Sequence, residues 1–406
     1  MMKRKYGCFR LPAVLVFVLG AGFLSAQEPI FNAYQRNFVR AGLADKAGVL
    51  RDAATDERAP EFMGALYDFA LHFSLRNAGI FRDDPDMIAL TAMAAAGAAA
   101  AGHAASADTL WELFLIYRDS LTRVEALNAL AVLGRRDEDF AAAGRLTGNL
   151  SQFLMNQNNL YRSGIEPDYP VLSACITALG ALGDAGAYPV LFTALVSNYP
   201  ASITRDITRA LDSVRGEYDQ FLLGVIQNNP PAEKLAAFRA GAHNAVLSEA
   251  RRGELAETAL RAGLEFLAAN AESAAAVSEL RYQAAAVLTE LKWTRATDLA
   301  VRYFYQVQTD YGNGSVSKEL FLSAIACLGA MGSSGAAQVL ALQLGYLNSR
   351  MERSGSFDGA VILEVVNALG EIGDKAAFDS LLYISYLNYP EQIQAAARNA
   401  LNRLKW

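Results

Sequence analysis

The stretch VLSACITALGALGDAGAYPVLFTALVSNYPASITRDITRALDSV, residues 171–214, aligns without a gap on VILEVVNALGEIGDKAAFDSLLYISYLNYPEQIQAAARNALNRL, residues 361–404, at a constant offset of 190. Ala178-Leu179-Gly180 and Gly183-Asp184 recur as Ala368-Leu369-Gly370 and Gly373-Asp374. Asn198-Tyr199-Pro200 recurs as Asn388-Tyr389-Pro390. A third copy, 320–344, brings Leu328-Gly329-Ala330-Met331-Gly332 to the same place. Self-similarity of this kind marks a supersecondary unit that cannot bury its apolar face alone, so that copies stack into a solenoid.

Working outward, apolar residues recur at helical spacing, as in Leu179, Leu182 and Leu211, Val214, and no stretch alternates with period two. The pattern predicts an N-terminal helix near 31–51, then helix pairs with a first member A and a second member B. The pairs run at about 59–101, 107–133, 138–182, 186–215, 217–247, 253–291, 295–330, 336–371 and 374–405. Asn-Tyr-Pro at 198–200 and 388–390 is expected to stop an A helix, since proline is tolerated only at the first turn of the B helix that follows. Gly183 and Gly373 are expected as left-handed C-terminal caps, with Asp184 and Asp374 capping the next A helix.

These motifs resemble the HEAT family of helical repeats, whose B helices end in A-L-x-x-[LIV] before a short Gly/Asp turn. The resemblance is clearest in Ala178–Asp184, Ala368–Asp374, Ala210–Val214 and Ala400–Leu404, and it covers most of residues 59–406. It implies an all-α fold, a right-handed α-solenoid of about nine stacked antiparallel helix pairs. Residues 27–58 would form an N-terminal helical cap and 59–406 the repeat solenoid. Tetratricopeptide repeats are the competing scheme, but their fixed 34-residue pattern is absent.

Residues 1–26 read as an export signal. Lys3, Arg4, Lys5 and Arg10 precede an apolar run from Leu11 to Leu24, and Leu24-Ser25-Ala26 offers small residues for cleavage after Ala26. The run is short for a membrane span of roughly 20 residues, so no stable anchor is expected after cleavage. Of the 36 Lys and Arg, four lie in this segment, which leaves 32 against 42 Asp and Glu. An acidic chain without a basic block argues against nucleic acid as a partner. The expected destination is the periplasm. Cys175 and Cys327 sit in Ala-rich helical stretches several repeats apart, and both read as buried packing residues.

The usual chemical signatures are missing. His72, His103 and His243 are far apart in the chain and form no paired His-Glu motif, so no metal and no cofactor is expected. Gly312-Asn313-Gly314-Ser315 lacks the lysine of a phosphate loop and reads as a turn.

One pattern stands out from this background. Three A-to-B connections are long, 158–170, 310–317 and 350–358, whereas the B-to-A turns stay short. All A-to-B loops of a solenoid leave at one edge, and insertions collected on one edge mark a binding rim. They carry Tyr161, Arg162, Asp168 and Tyr169, then Tyr311 and Asn313, then Arg350, Arg353 and Phe357. Tyrosine and arginine are the residue types that dominate interface energetics. Tyr383, Tyr386 and Tyr389 recur every third residue, which predicts a half-wet helix face. The function expected is therefore non-catalytic: an exported scaffold that binds a protein or peptide partner in the cell envelope. The alternative is an enzyme or small-molecule binder using acidic and tyrosine side chains on the concave face.

Overall fold

A computed structural model describes residues 21–58, 60–136, 143–242, 244, 247–267 and 270–405. The segment read above as an export signal therefore lies outside the described residues up to position 20, as does His243. The described residues hold twenty α-helices and no β-strand. No helix among them is long and apolar enough to cross a membrane.

The chain divides into two compact units, Met1–Gly216 and Glu217–Trp406. The first holds α1 (Ala21–Arg40), α2 (Leu43–Thr55), α3 (Met63–Phe81), α4 (Pro85–Ala100) and α5 (Ala107–Ile116). It continues with α6 (Ser120–Arg136), α7 (Ala143–Arg162), α8 (Tyr169–Leu182), α9 (Tyr188–Leu195) and α10 (Ala201–Ser213). The second holds α11 (Asp219–Asn228), α12 (Pro231–Ala242), α13 (Glu249–Glu265), α14 (Ala271–Glu290) and α15 (Thr297–Gly312). It ends with α16 (Lys318–Ala330), α17 (Ser334–Ser354), α18 (Gly359–Ile372), α19 (Phe378–Tyr383) and α20 (Glu391–Leu401).

Within each unit, every odd-numbered helix packs on the even-numbered helix after it, and the even helices also pack on one another in sequence. In the first unit α4, α6, α8 and α10 stack, and in the second α14, α16, α18 and α20 do. Their seams are apolar. Leu90, Leu130 and Leu179 in one unit, and Leu288, Leu328 and Leu369 in the other, are fully buried. Each such leucine contributes roughly 1.5–3 kcal/mol by leaving water.

The helix ends follow from short-range chemistry. Asp168 and Asp358 accept backbone N–H groups at the starts of α8 and α18. Gly183 and Gly373 close those helices in the left-handed conformation, at φ 66° and 68°. Asp184 and Asp374 each cap a 3₁₀ turn, Ala185–Ala187 and Lys375–Ala377, that leads into α9 and α19. Pro200 and Pro390 stand at the N-cap of α10 and α20, one place before the first helical turn. The single helix expected near 31–51 is two helices. Gly42, extended at φ −60° and ψ 161°, breaks it.

The repeat seen between 171–214 and 361–404 belongs to a larger duplication: the second unit is built as the first. Both carry a 3₁₀ turn before their fifth helix, Ala104–Ser106 and Thr294–Ala296. The chain enters these turns through a left-handed residue, Gly102 at φ 69° and Lys292 at φ 48°. Gly180 faces Ala210 and Gly370 faces Ala400 so closely that a Cβ on either glycine would sit within 3 Å of the opposing alanine. Isolated bridges join Asp184 to Arg215 and Asp374 to Lys405. Buried lysines at matching places, Lys46 and Lys234, donate to the last carbonyls of α1 and α11.

The tyrosine stripe is not one α-helical face. Helix α19 stops at Tyr383, a 3₁₀ turn covers Ile384–Tyr386, and Tyr389 lies beyond it in the core. Three residues per turn in the 3₁₀ segment still places Tyr383 and Tyr386 side by side, their rings 6.4 Å apart.

Candidate functional site

Two of the three long connections meet in the second unit. Helix α15 runs to Gly312 and α17 to Ser354, and their C-terminal ends, with the turn 356–358, enclose a cleft of about 560 Å³. Gln308, Tyr311 and Gly312 line it from α15, Phe321 from α16, and Gln343, Tyr346, Leu347 and Arg350 from α17. Ser356, Phe357, Asp358 and Val361 complete the wall.

The cleft has an aromatic and apolar floor. The Tyr311 ring stacks on Phe321 with centroids 4.9 Å apart, and Phe321 in turn lies 5.9 Å from Phe304. Phe357 stands edge-on to Tyr389 at 5.5 Å. Gln308 Nε2 donates to Gln343 Oε1, which fixes the two amides across the α15–α17 seam. Lys318 pairs with Asp358 at 2.6 Å and pins the start of α16 to the start of α18. Burial pulls the Asp358 pKa upward, but the Lys318 ammonium and the N–H groups of Val361 and Ala360 outweigh it. The carboxyl ends below its ordinary value. Arg350 is exposed and has no ion-pair partner among the described residues.

Tyr346 also lines two neighbouring hollows along α17. One, of about 260 Å³, adds Phe304, Tyr305, Val339 and Leu342. The other, of about 720 Å³, adds Gly345, Ser349 and Arg353. The cleft therefore opens onto a groove that follows the outer face of α17. Leu342 and Tyr346 stand in it 71% and 63% exposed.

The same place in the first unit is built differently. Helix α5 has 10 residues where α15 has 16. Tyr117, directly after α5, turns inward to 1% exposure, near Thr91 and the Ser74 carbonyl. Where Phe321 lies over Phe304, Arg123 lies over Phe114, its guanidinium 4.6 Å from that ring and 5.4 Å from Phe153. Burial pushes the Arg123 pKa down, against the opposing pull of Asp168.

The predicted rim residues of the first unit serve their own unit. Tyr161 stacks on Tyr199 at 4.1 Å and donates to the Asn198 carbonyl at 3.2 Å. Arg162 Nε donates to Ser197 Oγ at 3.1 Å. Asp168 caps α8 and accepts from Ser120. Tyr169 donates to Glu166, and that bond, with burial, raises its pKa to about 12. In the second unit Tyr311, Arg350 and Phe357 line the cleft and Arg353 the groove. Asn313 lies at the C-cap of α15, its N–H on the Thr309 carbonyl at 3.0 Å. Tyr383 donates to Glu352 at 2.9 Å, and Tyr386 is 73% exposed beside it.

Gln308, Phe321, Leu342, Gln343 and Tyr346 were not among the predicted residues. Leu342, Tyr346 and Arg350 follow one another at i, i+4 and i+8, but in sequence that spacing does not distinguish a groove face from any other helix face.

The fold also gathers His72 and His103 around Asp68, residues that sequence spacing kept apart. His72 Nε2 lies 3.5 Å from Asp68, and Ser106, 3.0 Å from His103 Nδ1, donates to Asp68 at 2.7 Å. The corresponding acid of the second unit, Glu257, receives Trp293 Nε1 at 3.0 Å, Arg295 at 2.7 Å and Arg261 at 3.1 Å. One position is thus fastened by two unrelated sets of donors, which identifies it as a staple between helix and turn. Among the described residues no group of three or more His, Cys, Asp or Glu is placed to hold a metal ion. Cys175 and Cys327 are buried and free, and burial pushes their thiols up to about 12 and about 11. Compared with known proteins, the chain matches no family model and no curated protein.

Proposed function

We propose that this chain is an exported, non-catalytic scaffold of the HEAT type, a right-handed α-solenoid, that captures a segment of a protein partner in the α15–α18 cleft. The observation that carries this reading is the difference between the two copies. The fastenings, glycine contacts and helix caps are kept in both. At the α5–α8 position Arg123 lies over Phe114 and Tyr117 turns inward, whereas the α15–α18 position opens into an aromatic-lined hollow. A duplicated unit that keeps its packing and changes one surface has been altered for what that surface meets. The exposed aromatic and arginine side chains there are the types that anchor interfaces. The partner is a protein or peptide and not nucleic acid, because the acidic chain supplies no basic block for phosphates.

Photo-crosslinking tests the reading. Benzoylphenylalanine placed at 346 or 357 of the chain expressed with its leader should give one shared crosslinked species in the cell envelope. The same probe at 161, where the tyrosine stacks on Tyr199 of its own unit, should give none. Equal labelling from all three positions, or none from any, would remove the cleft as the capture site. N-terminal sequencing of the recovered chain should start at Gln27.

A further inference from the structure

Resting on the reading that the cleft receives a protein segment, we infer that this segment is a short apolar peptide bearing a carboxylate, with its bulky side chains over Leu342 and Tyr346 and the carboxylate on Arg350 and Arg353. Four exposed residues of α17 define the track. Leu342, Tyr346, Arg350 and Arg353 follow one another at helical spacings of 4, 4 and 3 and so share one face. At 1.5 Å of rise per residue they span roughly 16 Å, the reach of about five residues of extended chain.

Charge decides what lies at the end of that track. Five other arginines of the second unit are matched: Arg239 with Glu279, Arg251 with Asp219 and Glu254, Arg261 and Arg295 with Glu257, Arg398 with Glu391, whereas Arg252, Arg281, Arg302 and Arg403 form no ion pair among the described residues. Arg350 and Arg353 have no ion pair among the described residues, although acidic residues outnumber basic ones in the chain, 42 to 36. The nearby acids are engaged elsewhere: Glu352 with the Tyr383 hydroxyl and Asp358 with Lys318. The dipole of α17 favours cations in its last turn, so the arginines alone make no site. It gives no reason for Leu342 and Tyr346 to stand in water beside them. The apolar pair and the unpaired cations on one face together match an apolar, acidic segment, and guanidinium groups hold carboxylates in two-pronged hydrogen bonds.

The test pans a random dodecapeptide phage library on the mature chain, then titrates the strongest binder as a fluorescein-labelled peptide by anisotropy. The expected binders carry two or more large apolar residues next to Asp or Glu. R350E/R353E should weaken binding at least tenfold, and a Glu→Lys version of the peptide should regain affinity for that variant. L342S/Y346S should abolish binding, and both variants, altered at exposed positions, should melt as the parent does. Binders without acids, or acidic binders that ignore R350E/R353E, would overturn the carboxylate inference. Loss of those same binders with L342S/Y346S would keep the cleft reading intact. Binders indifferent to both variants, or no binder at all, would overturn both.

Discussion

Tyr389 turns its hydroxyl into the core to meet Asn348 Oδ1 at 3.3 Å, and Asn348 Nδ2 donates onward to the Ser380 carbonyl at 2.9 Å. The first unit repeats the bond between Tyr199 and Asn158 at 3.1 Å, with Asn158 donating to the Val190 carbonyl at 3.3 Å. Each asparagine lies on the long helix of one pair and holds the short helix and turn of the next. A buried amide with both ends satisfied specifies register as well as contributing energy.

Removing that amide leaves the buried Tyr199 hydroxyl without its partner and the Tyr389 hydroxyl with only the Leu347 carbonyl, 3.4 Å away, at a cost of about 1–3 kcal/mol. Asn158→Ala and Asn348→Ala should each lower the urea midpoint accordingly. Asn156→Ala, on the exposed face of α7, is the control and should move it little. Equal effects from the buried and exposed asparagines would show that the bridge carries no load.

Gly180 and Gly370 let α8 and α18 approach their neighbours. A Cβ at 180 would lie 2.7 Å from Ala210 Cα, and one at 370 would lie 2.9 Å from Ala400 Cβ. Alanine is worth up to about 1 kcal/mol over glycine inside a helix, but overpacking costs about 1–3 kcal/mol, so the clash wins. Gly180→Ala should destabilise, and adding Ala210→Gly should recover part of the loss. Gly148→Ala, with open space at the same atom, should instead stabilise. A common sign at 148 and 180 in thermal melts would contradict the packing argument.

Lys46 and Lys234 each reach back to the carbonyls that end the preceding helix, Lys46 to Phe38 and Val39, Lys234 to Ile226 and Gln227. Methionine keeps the stem and removes the donors. Lys234→Met and Lys46→Met should therefore cost about 1–3 kcal/mol each for the carbonyls left dry. Lys234→Arg should lose less, because it still donates. If methionine matched the parent in denaturant melts, water would be reaching those carbonyls.

Much of this was legible in the chain, for reasons that vary by residue. Helices, turns and the 171–214/361–404 match could be read because Gly183, Asp184 and Pro200 act locally, and their chemistry is the same in both copies. The wider duplication was hidden because equivalent places hold different residues: Asp68 and Glu257, His103 and Trp293, Gly102 and Lys292, Arg123 and Phe321. What those pairs share is a packing role, which only the folded chain displays. Tyr311, Arg350 and Phe357 could be picked out because long connections announce themselves. Gln308 and Tyr346 lie inside helices, where nothing local separates a groove face from a solvated one. The first-unit residues Tyr161 and Arg162 carried the same signal as the cleft residues, but Tyr199, Asn198 and Ser197 engage them.

Asp358 does two things at the cleft wall, and they can be separated. It caps α18 through Ala360 and Val361, and it pairs with Lys318. Its folded pKa is lowered, so its contribution is fully present above the unfolded carboxyl value of about 3.9 and is lost as pH falls through the lower folded value. The Lys318 pKa is raised, chiefly by its bond to Asp358, so its share persists until pH climbs past the unfolded lysine value of about 10.4. Between those limits the wall should be insensitive to pH. Asp358→Asn keeps a competent cap and removes the ion pair, whereas Asp358→Ala removes both, and loss of a cap costs about 1 kcal/mol. Asp358→Ala should therefore destabilise more than Asp358→Asn at pH 7. The advantage of the parent over Asp358→Asn should vanish in acid, below the depressed carboxyl pKa. Thermal melts of the three proteins at neutral and acid pH decide it. Equal losses from both variants would mean that the cap on α18 contributes nothing and that Asp358 acts through Lys318 alone.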